Sequence, residues 1–377
     1  MGMQKVRGRQ SEIGLFTVSL WFAMLACVPA RGQNLVMQTT EMSSARSRPA
    51  VSFVGDKLLI IDGYDDWFSG RPTSKVDVYD VNTWTFTGTM TTPHTTNSPQ
   101  AAVIGTKVLV ATGSYADIYD DSTGLWSSVP LSAQRQWMGV AAAGGKAFFA
   151  GGGYGGSTRV DVYDDATGLW TTDSISVGRT SLAATAVGTK VLFGGGYIGD
   201  SARVRSNVVD IFDTATGLWG TAQLSQGRSH LTAVTVGDLA FFAGGSHVNG
   251  NDYTGSDVVD IYNNATGEWS VTHMPHARTV LAAGAVGYKA LFAGGGYSSG
   301  LNYLDVYDTR TGQWTSMTLS ESRGWLGGGT NGLAAVFAGG QRGSNLLSDN
   351  VDIITPEPAT LLLLGLGGLA VIRKRRK

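Results

Sequence analysis

The chain has 377 residues, with 28 Lys and Arg against 29 Asp and Glu and a single cysteine. Nine of the basic residues lie in segments 1–32 and 356–377, so the body from 33 to 355 keeps 19 basic against 27 acidic residues, a balance that argues against nucleic acid or an anionic membrane surface as partner. The one cysteine, Cys27, lies in the N-terminal stretch, which excludes disulfides, thiolate metal sites and cysteine nucleophiles from the body.

In chain order, the first element reads as an export signal over 1–32: basic Lys5, Arg7 and Arg9, an apolar run from Ile13 to Val28, and "VPARGQ" with small residues for cleavage after Ala30 or Gly32. Gly8 separates the two arginines, so this is not a twin-arginine signal, and Met24 and Leu25 fit a lipidation box before Cys27 badly.

From Arg46 onward one unit recurs, as in "VDVYDDATGLW" at Val160, "VVDIFDTATGLW" at Val208 and "VVDIYNNATGEW" at Val258. The tryptophans Trp84, Trp126, Trp170, Trp219, Trp269 and Trp314 are 42, 44, 49, 50 and 45 residues apart, the period of a four-stranded propeller blade. The 53 glycines follow no collagen period, no window sustains a 3.6-residue apolar period, and short apolar runs recur between Gly and Asp turn signals. Each unit reads as strands a, b, c and d: an Arg opens strand a, strand b ends in glycines, strand c is "VDVYD"-like, and a hairpin closed by Thr-Gly leads into the Trp strand. Third strands begin at Val76, Ala116, Val160, Val209, Val259, Leu304 and Val351, which makes seven against six tryptophans. The spacing that links each Trp to the next Arg, counted back from Arg46, falls on Met42 and Met37, so a strand over Leu35–Met42 is expected to complete the last blade. The expected fold is therefore all-β, a seven-bladed propeller closed by its N-terminal strand at about 35–42, which removes two exposed sheet edges.

The glycine pairs Gly151–Gly152, Gly194–Gly195, Gly244–Gly245, Gly294–Gly295 and Gly339–Gly340, each followed at a distance by the Tyr or Phe and Trp of its blade where one is present, resemble the kelch repeat over almost the whole body, 33–355. The resemblance implies a kelch-type propeller. Blades 1 and 2, with "IDGY" at Ile61 and "ATGS" at Ala111, keep one glycine of the pair and are expected to be the least regular.

The repeated Asp (Asp77 to Asp352) and Arg (Arg46 to Arg323) are needed by every blade and read as structural ties, and the repeated Tyr and Trp as packing between blades. Function is sought where the repeat breaks, on the face where the d-to-a and b-to-c loops open. Two residues past each opening Arg the occupant changes: Arg48, Trp137, Ser181, His230, Val280 and Trp325, with Thr96 in the blade opened by His94. The candidate ligand-binding face comprises Asp65, Asp66, Trp67, Trp137, Arg203, Arg205, His230, His247, Asp252, Tyr253 and Trp325, a mixture suited to stacking on sugar rings and bonding hydroxyls or acids. His230, His247 and His276 map to one face, but "HMPH" has no metal-site context, and neither a metal nor another cofactor is expected. The copper radical oxidases that share the kelch propeller need a Cys–Tyr crosslink, which a body without cysteine cannot form.

The chain ends in "TPEPATLLLLGLGGLAVIRKRRK", in which Pro356, Glu357 and Pro358 precede an apolar run and five basic residues. As a helix the run from Ala359 to Ile372 reaches about 21 Å, short of a hydrocarbon core of about 30 Å. This tail, 356–377, resembles the PEP-CTERM sorting signal of Gram-negative bacteria, which implies transient membrane anchoring through this segment and processing by a membrane-embedded exosortase. It also implies a role beside exopolysaccharide at the cell surface or in the extracellular matrix. The expected function is a noncatalytic binding module for a glycan or a surface protein. The alternative is a carbohydrate-acting enzyme of mutarotase or epimerase type, with Arg203, Arg205, His230 and Asp252 supplying acid, base and carboxylate clamp.

Overall fold

The computed structural model describes residues 34–66, 69–96, 98–199, 204–249, 252–297, 300–343 and 346–357. Strands gather into seven antiparallel sheets, blades 1 to 6 over 50–96, 100–130, 139–180, 183–223, 232–278 and 282–323. The seventh takes three strands from Gly327–Thr330, Ala335–Ala338 and Asn350–Pro356, and its fourth from Leu35–Glu41 beside Asn350–Pro356, as the spacing predicts. Val36–Pro356 is one compact unit. Of a second unit made by the two chain ends, only Asn34, Leu35 and Glu357 are described; the Glu357 N–H donates to Asn34 O at 2.8 Å, and Asn34 Nδ2 donates to Glu357 Oε2 at 3.1 Å. The export signal, Pro358 and the apolar tail lie outside the described residues.

Burial follows strand order within a blade. The b strands, such as Lys57–Ile61 and Leu239–Ala243, are continuous apolar runs buried on both faces, because each lies between two neighbouring blades. The d strands alternate, as in Leu125–Pro130, because one face meets solvent. The core therefore lies between blades: Phe241 of blade 5 faces Phe292 and Tyr307 of blade 6, and Trp314 closes that cluster.

The repeated charges tie the ring together. Arg228 Nη1 donates to Gly244 O at 2.8 Å and to Val258 O at 2.6 Å, and Nη2 pairs with Asp260. Asp260 Oδ1 also accepts the Ser225 N–H, at 2.7 Å, from the segment arriving from blade 4. Asp77, Asp161, Asp210 and Asp352 repeat both contacts.

Two expectations are corrected. Trp84 is not the outer-strand aromatic of blade 1: it sits at φ +57°, where Gly124, Gly168 and Gly217 stand in other hairpins, and Phe86 pairs with Tyr79 as Trp126 does with Tyr119. His94 is not a blade-opening residue either. It lies two positions too early and, like His276 on Asp305, binds a strand-c carboxylate, here Asp117 through Nδ1 at 2.8 Å. The buried Thr96 holds the arginine position of blade 2, and Ser98 reaches the channel.

Candidate functional site

At six of the crossings from a d strand to the next a strand the chain turns through the left-handed region at a non-glycine residue: Arg48, Trp137, Ser181, His230, Val280 and Trp325 all have φ between +52° and +57°. Such residues are uncommon, and a β-branched one like Val280 is a conformational outlier. They persist because their backbones form a collar. Ser181 N donates to Trp137 O at 3.0 Å, His230 N to Ser181 O, Val280 N to His230 O and Trp325 N to Val280 O at 3.2 Å each, and Arg48 N to Trp325 O at 2.7 Å. Strained non-glycine residues held by surrounding structure cluster at functional sites. The collar rims a cavity of about 320 Å³ whose walls are the small residues of the a strands, such as Ala50, Ala183, Ala233 and Gly328.

Four collar residues, Arg48, Trp137, His230 and Trp325, meet b-to-c loop tyrosines there. The Arg48 guanidinium lies 3.7 Å from the Trp325 ring centroid, and its Nη1 is 3.5 Å from Tyr64 Oη. His230 Nδ1 is 3.2 Å from Tyr197 Oη and 3.3 Å from Tyr297 Oη, and its ring meets Trp325 edge to face at 5.4 Å. Arg205 stacks on Tyr197 at 4.2 Å and reaches Ser246 Oγ at 3.5 Å. Burial, reinforced by Arg48 and Arg205, pushes His230 down to about 3, so the ring is neutral. Burial also lowers Arg48 from its usual value.

Of the sequence candidates, Arg205, His230 and Trp325 come together at this mouth. Trp137 lines the same cavity and packs edge to face on Tyr154 at 5.4 Å. Asp65 accepts from Arg71 Nε at 2.8 Å, and Asp66 from Ser69 Oγ at 2.8 Å. His247 is 3.1 Å from Thr254 Oγ1 in the hairpin Ser246–Asn249 with Asp252–Asn263. The side chains of Asp252 and Tyr253, and all of Trp67 and Arg203, lie outside the described structure. Among the described residues no three His, Cys, Asp or Glu side chains come together as a metal site. The candidate list missed Arg48, Tyr64, Tyr197 and Tyr297. The three tyrosines, like Tyr154, each directly follow a loop glycine after strand b, a recurrence that would have found them.

Comparisons with known proteins agree with this architecture. The Kelch motif model matches residues 45–91, and the PEP-CTERM protein-sorting motif matches residues 355–377, which indicates an exported protein with a C-terminal sorting signal of the kind exosortase recognises. No curated protein matches the sequence. The solved structure of YjhT superposes with a TM-score of 0.56 at 16% identity, over 71% of this chain and 97% of that one. A fungal alcohol oxidase of the AA5 family, in complex with copper, gives 0.63 at 17% identity over 85% and 76%. At such identities the likeness is one of fold. Blade count, repeat and tail together define the chain: it is a seven-bladed β-propeller of the kelch type that ends in a PEP-CTERM sorting motif.

Proposed function

We propose that the propeller is a noncatalytic binding module that takes a glycan at the mouth of its channel, in the exopolysaccharide or on the cell surface. In this reading segment 1–32 is the export signal, 33–355 the working module and 356–377 the sorting signal handed to exosortase. The carrying observation is the clustering of Trp325, Tyr64, Tyr197 and Tyr297 with Arg48, Arg205 and His230 at one rim. Aromatic faces stack on sugar rings, and the arginines supply fixed donors above a throat lined by small residues. A histidine with a pKa of about 3 is far from the value that serves proton transfer at neutral pH, which favours binding over turnover.

The test is titration calorimetry of residues 33–357 with exopolysaccharide purified from the source organism. We expect saturable heat without a continuing signal, an affinity constant from pH 5 to 8, and at least tenfold weaker binding in Trp325→Ala. A continuing heat with a bell-shaped pH profile would establish the mutarotase-type enzyme instead. No heat at all would leave a surface protein as the partner.

A further inference from the structure

The six arginines that open blades all pair with a strand-c aspartate. Arg48, two positions beyond one of them, does not: among the described residues no carboxylate lies within ion-pair distance of it. Carboxylates on the neighbouring loop are engaged elsewhere, Asp65 with Arg71 and Asp66 with Ser69. A desolvated guanidinium without a counter-charge is costly, and proteins pair such groups. Stacking on Trp325 uses the face of the guanidinium and leaves its edge, which is the part that binds carboxylates in plane. Beside it, Trp325 Nε1–H is buried without a partner. The rim is thus cationic on a body whose charge is negative overall.

Resting on the glycan reading above, we propose that the mouth reads an acidic saccharide, with Arg48 as the fork that binds the carboxylate of a uronate unit. The cavity of about 320 Å³ has the volume of a small-ligand site. The counter-charge that no described residue gives Arg48 is then supplied by the ligand.

The test uses residues 33–357, which contain the whole compact unit Val36–Pro356, with two probes: trigalacturonate and its fully methyl-esterified form. The rings are the same and only the charge differs. We expect the acid to bind at least tenfold more tightly than the ester, the preference to shrink as salt is raised, and Arg48→Gln to abolish it. Thermal unfolding checks that the variant is folded, and its Tm should stay level or rise, since a partly buried charge with no carboxylate partner among the described residues has been removed. Arg48→Lys keeps the charge but not the fork, and should retain only part of the preference. Equal binding of acid and ester would overturn the acidic assignment while leaving the glycan reading intact. Discrimination that survives Arg48→Gln would overturn the role of Arg48. Binding of neither probe would overturn the acidic-saccharide site, and the exopolysaccharide titration would then decide the glycan reading separately.

Discussion

Asp62 stands where blades 3 to 7 carry the first glycine of their pair, and it adopts the same left-handed backbone, with φ +52°. Elsewhere the position is crowded by the next blade: a Cβ added at Gly244 would lie 2.8 Å from Arg278 O. Blade 2 has Thr96 in place of the arginine, and the seam between blades 1 and 2 holds the Asp62 side chain, fully buried. Thr92 Oγ1 donates to its Oδ1 at 2.8 Å, while Oδ2 has no partner. Burial pushes this carboxyl up to about 8; the Thr92 bond opposes the shift, Asp117 adds to it and Arg46 opposes it. Because the folded value lies above the unfolded one, the folded state holds an extra proton between about pH 4 and pH 8. Stability is therefore lost as pH rises through that window, with a slope of up to about 1.4 kcal/mol per pH unit from this group. Asp62→Asn removes the titration but keeps a residue that tolerates the left-handed region. Its Tm advantage over the parent should widen steadily between pH 5 and pH 8. A difference that stays flat across the series would mean that Asp62 ionises as it does in the unfolded chain.

The closing strand is tied on two sides. Leu35–Glu41 pairs with Asn350–Pro356, Met42 N donates to Asp349 O at 2.7 Å, and Tyr79 Oη of blade 1 donates to Glu41 O at 2.7 Å. Removing residues 34–41 would bare the edge of Asn350–Pro356, whose Val351 to Ile354 are buried, and an unpaired apolar edge recruits another chain. We expect that deletion to lower the Tm by more than ten degrees and to convert a monomer into dimers or larger species by light scattering. A monomer with unchanged Tm would show that the ring is closed by contacts other than this strand. This strand was legible in the sequence because the step from Met42 to Arg46 repeats a spacing present in the other blades. Blade 1 misled, because Trp84 was matched by residue type, whereas the hairpin position is defined by a left-handed backbone that glycine holds in other blades. The collar was legible only as a list of variable occupants. Nothing in Val280 or Trp325 signals positive φ, since the ring's own backbone bonds impose it. The meeting of Tyr297 from blade 6 with His230 before blade 5 likewise depends on the curvature of the whole ring.

That curvature is set at the axis, where the seven a strands approach most closely. Blade 7 enters this space with "GGGT" at Gly327–Thr330, and the reason is steric. A Cβ at Gly329 would lie 2.5 Å from Val51 O of blade 1, and one at Gly328 would lie 2.7 Å from Ala283 O of blade 6. Both neighbours are backbone, so neither can yield without moving a strand. The last blade to be completed is thus also the thinnest at the axis, which lets it slide between its two neighbours. Gly329→Ala should push blades 7 and 1 apart, at a cost of about 1–3 kcal/mol typical of overpacking. The same displacement loads the bond from Arg48 N to Trp325 O, which joins the lead-ins of these two blades. The pair of residues at the centre of the rim should therefore separate, and ligand affinity should fall together with Tm. Gly220→Ala provides the control, since a Cβ there meets nothing within 4 Å and an outer strand can accept it. If Gly329→Ala lowers Tm but leaves the affinity untouched, the rim is held by its loops alone. If it changes neither, the close approach at the axis does not set the ring's dimensions. A joint loss of stability and binding, absent in Gly220→Ala, would mean that the packing of small residues along the axis sets the geometry of the ligand rim.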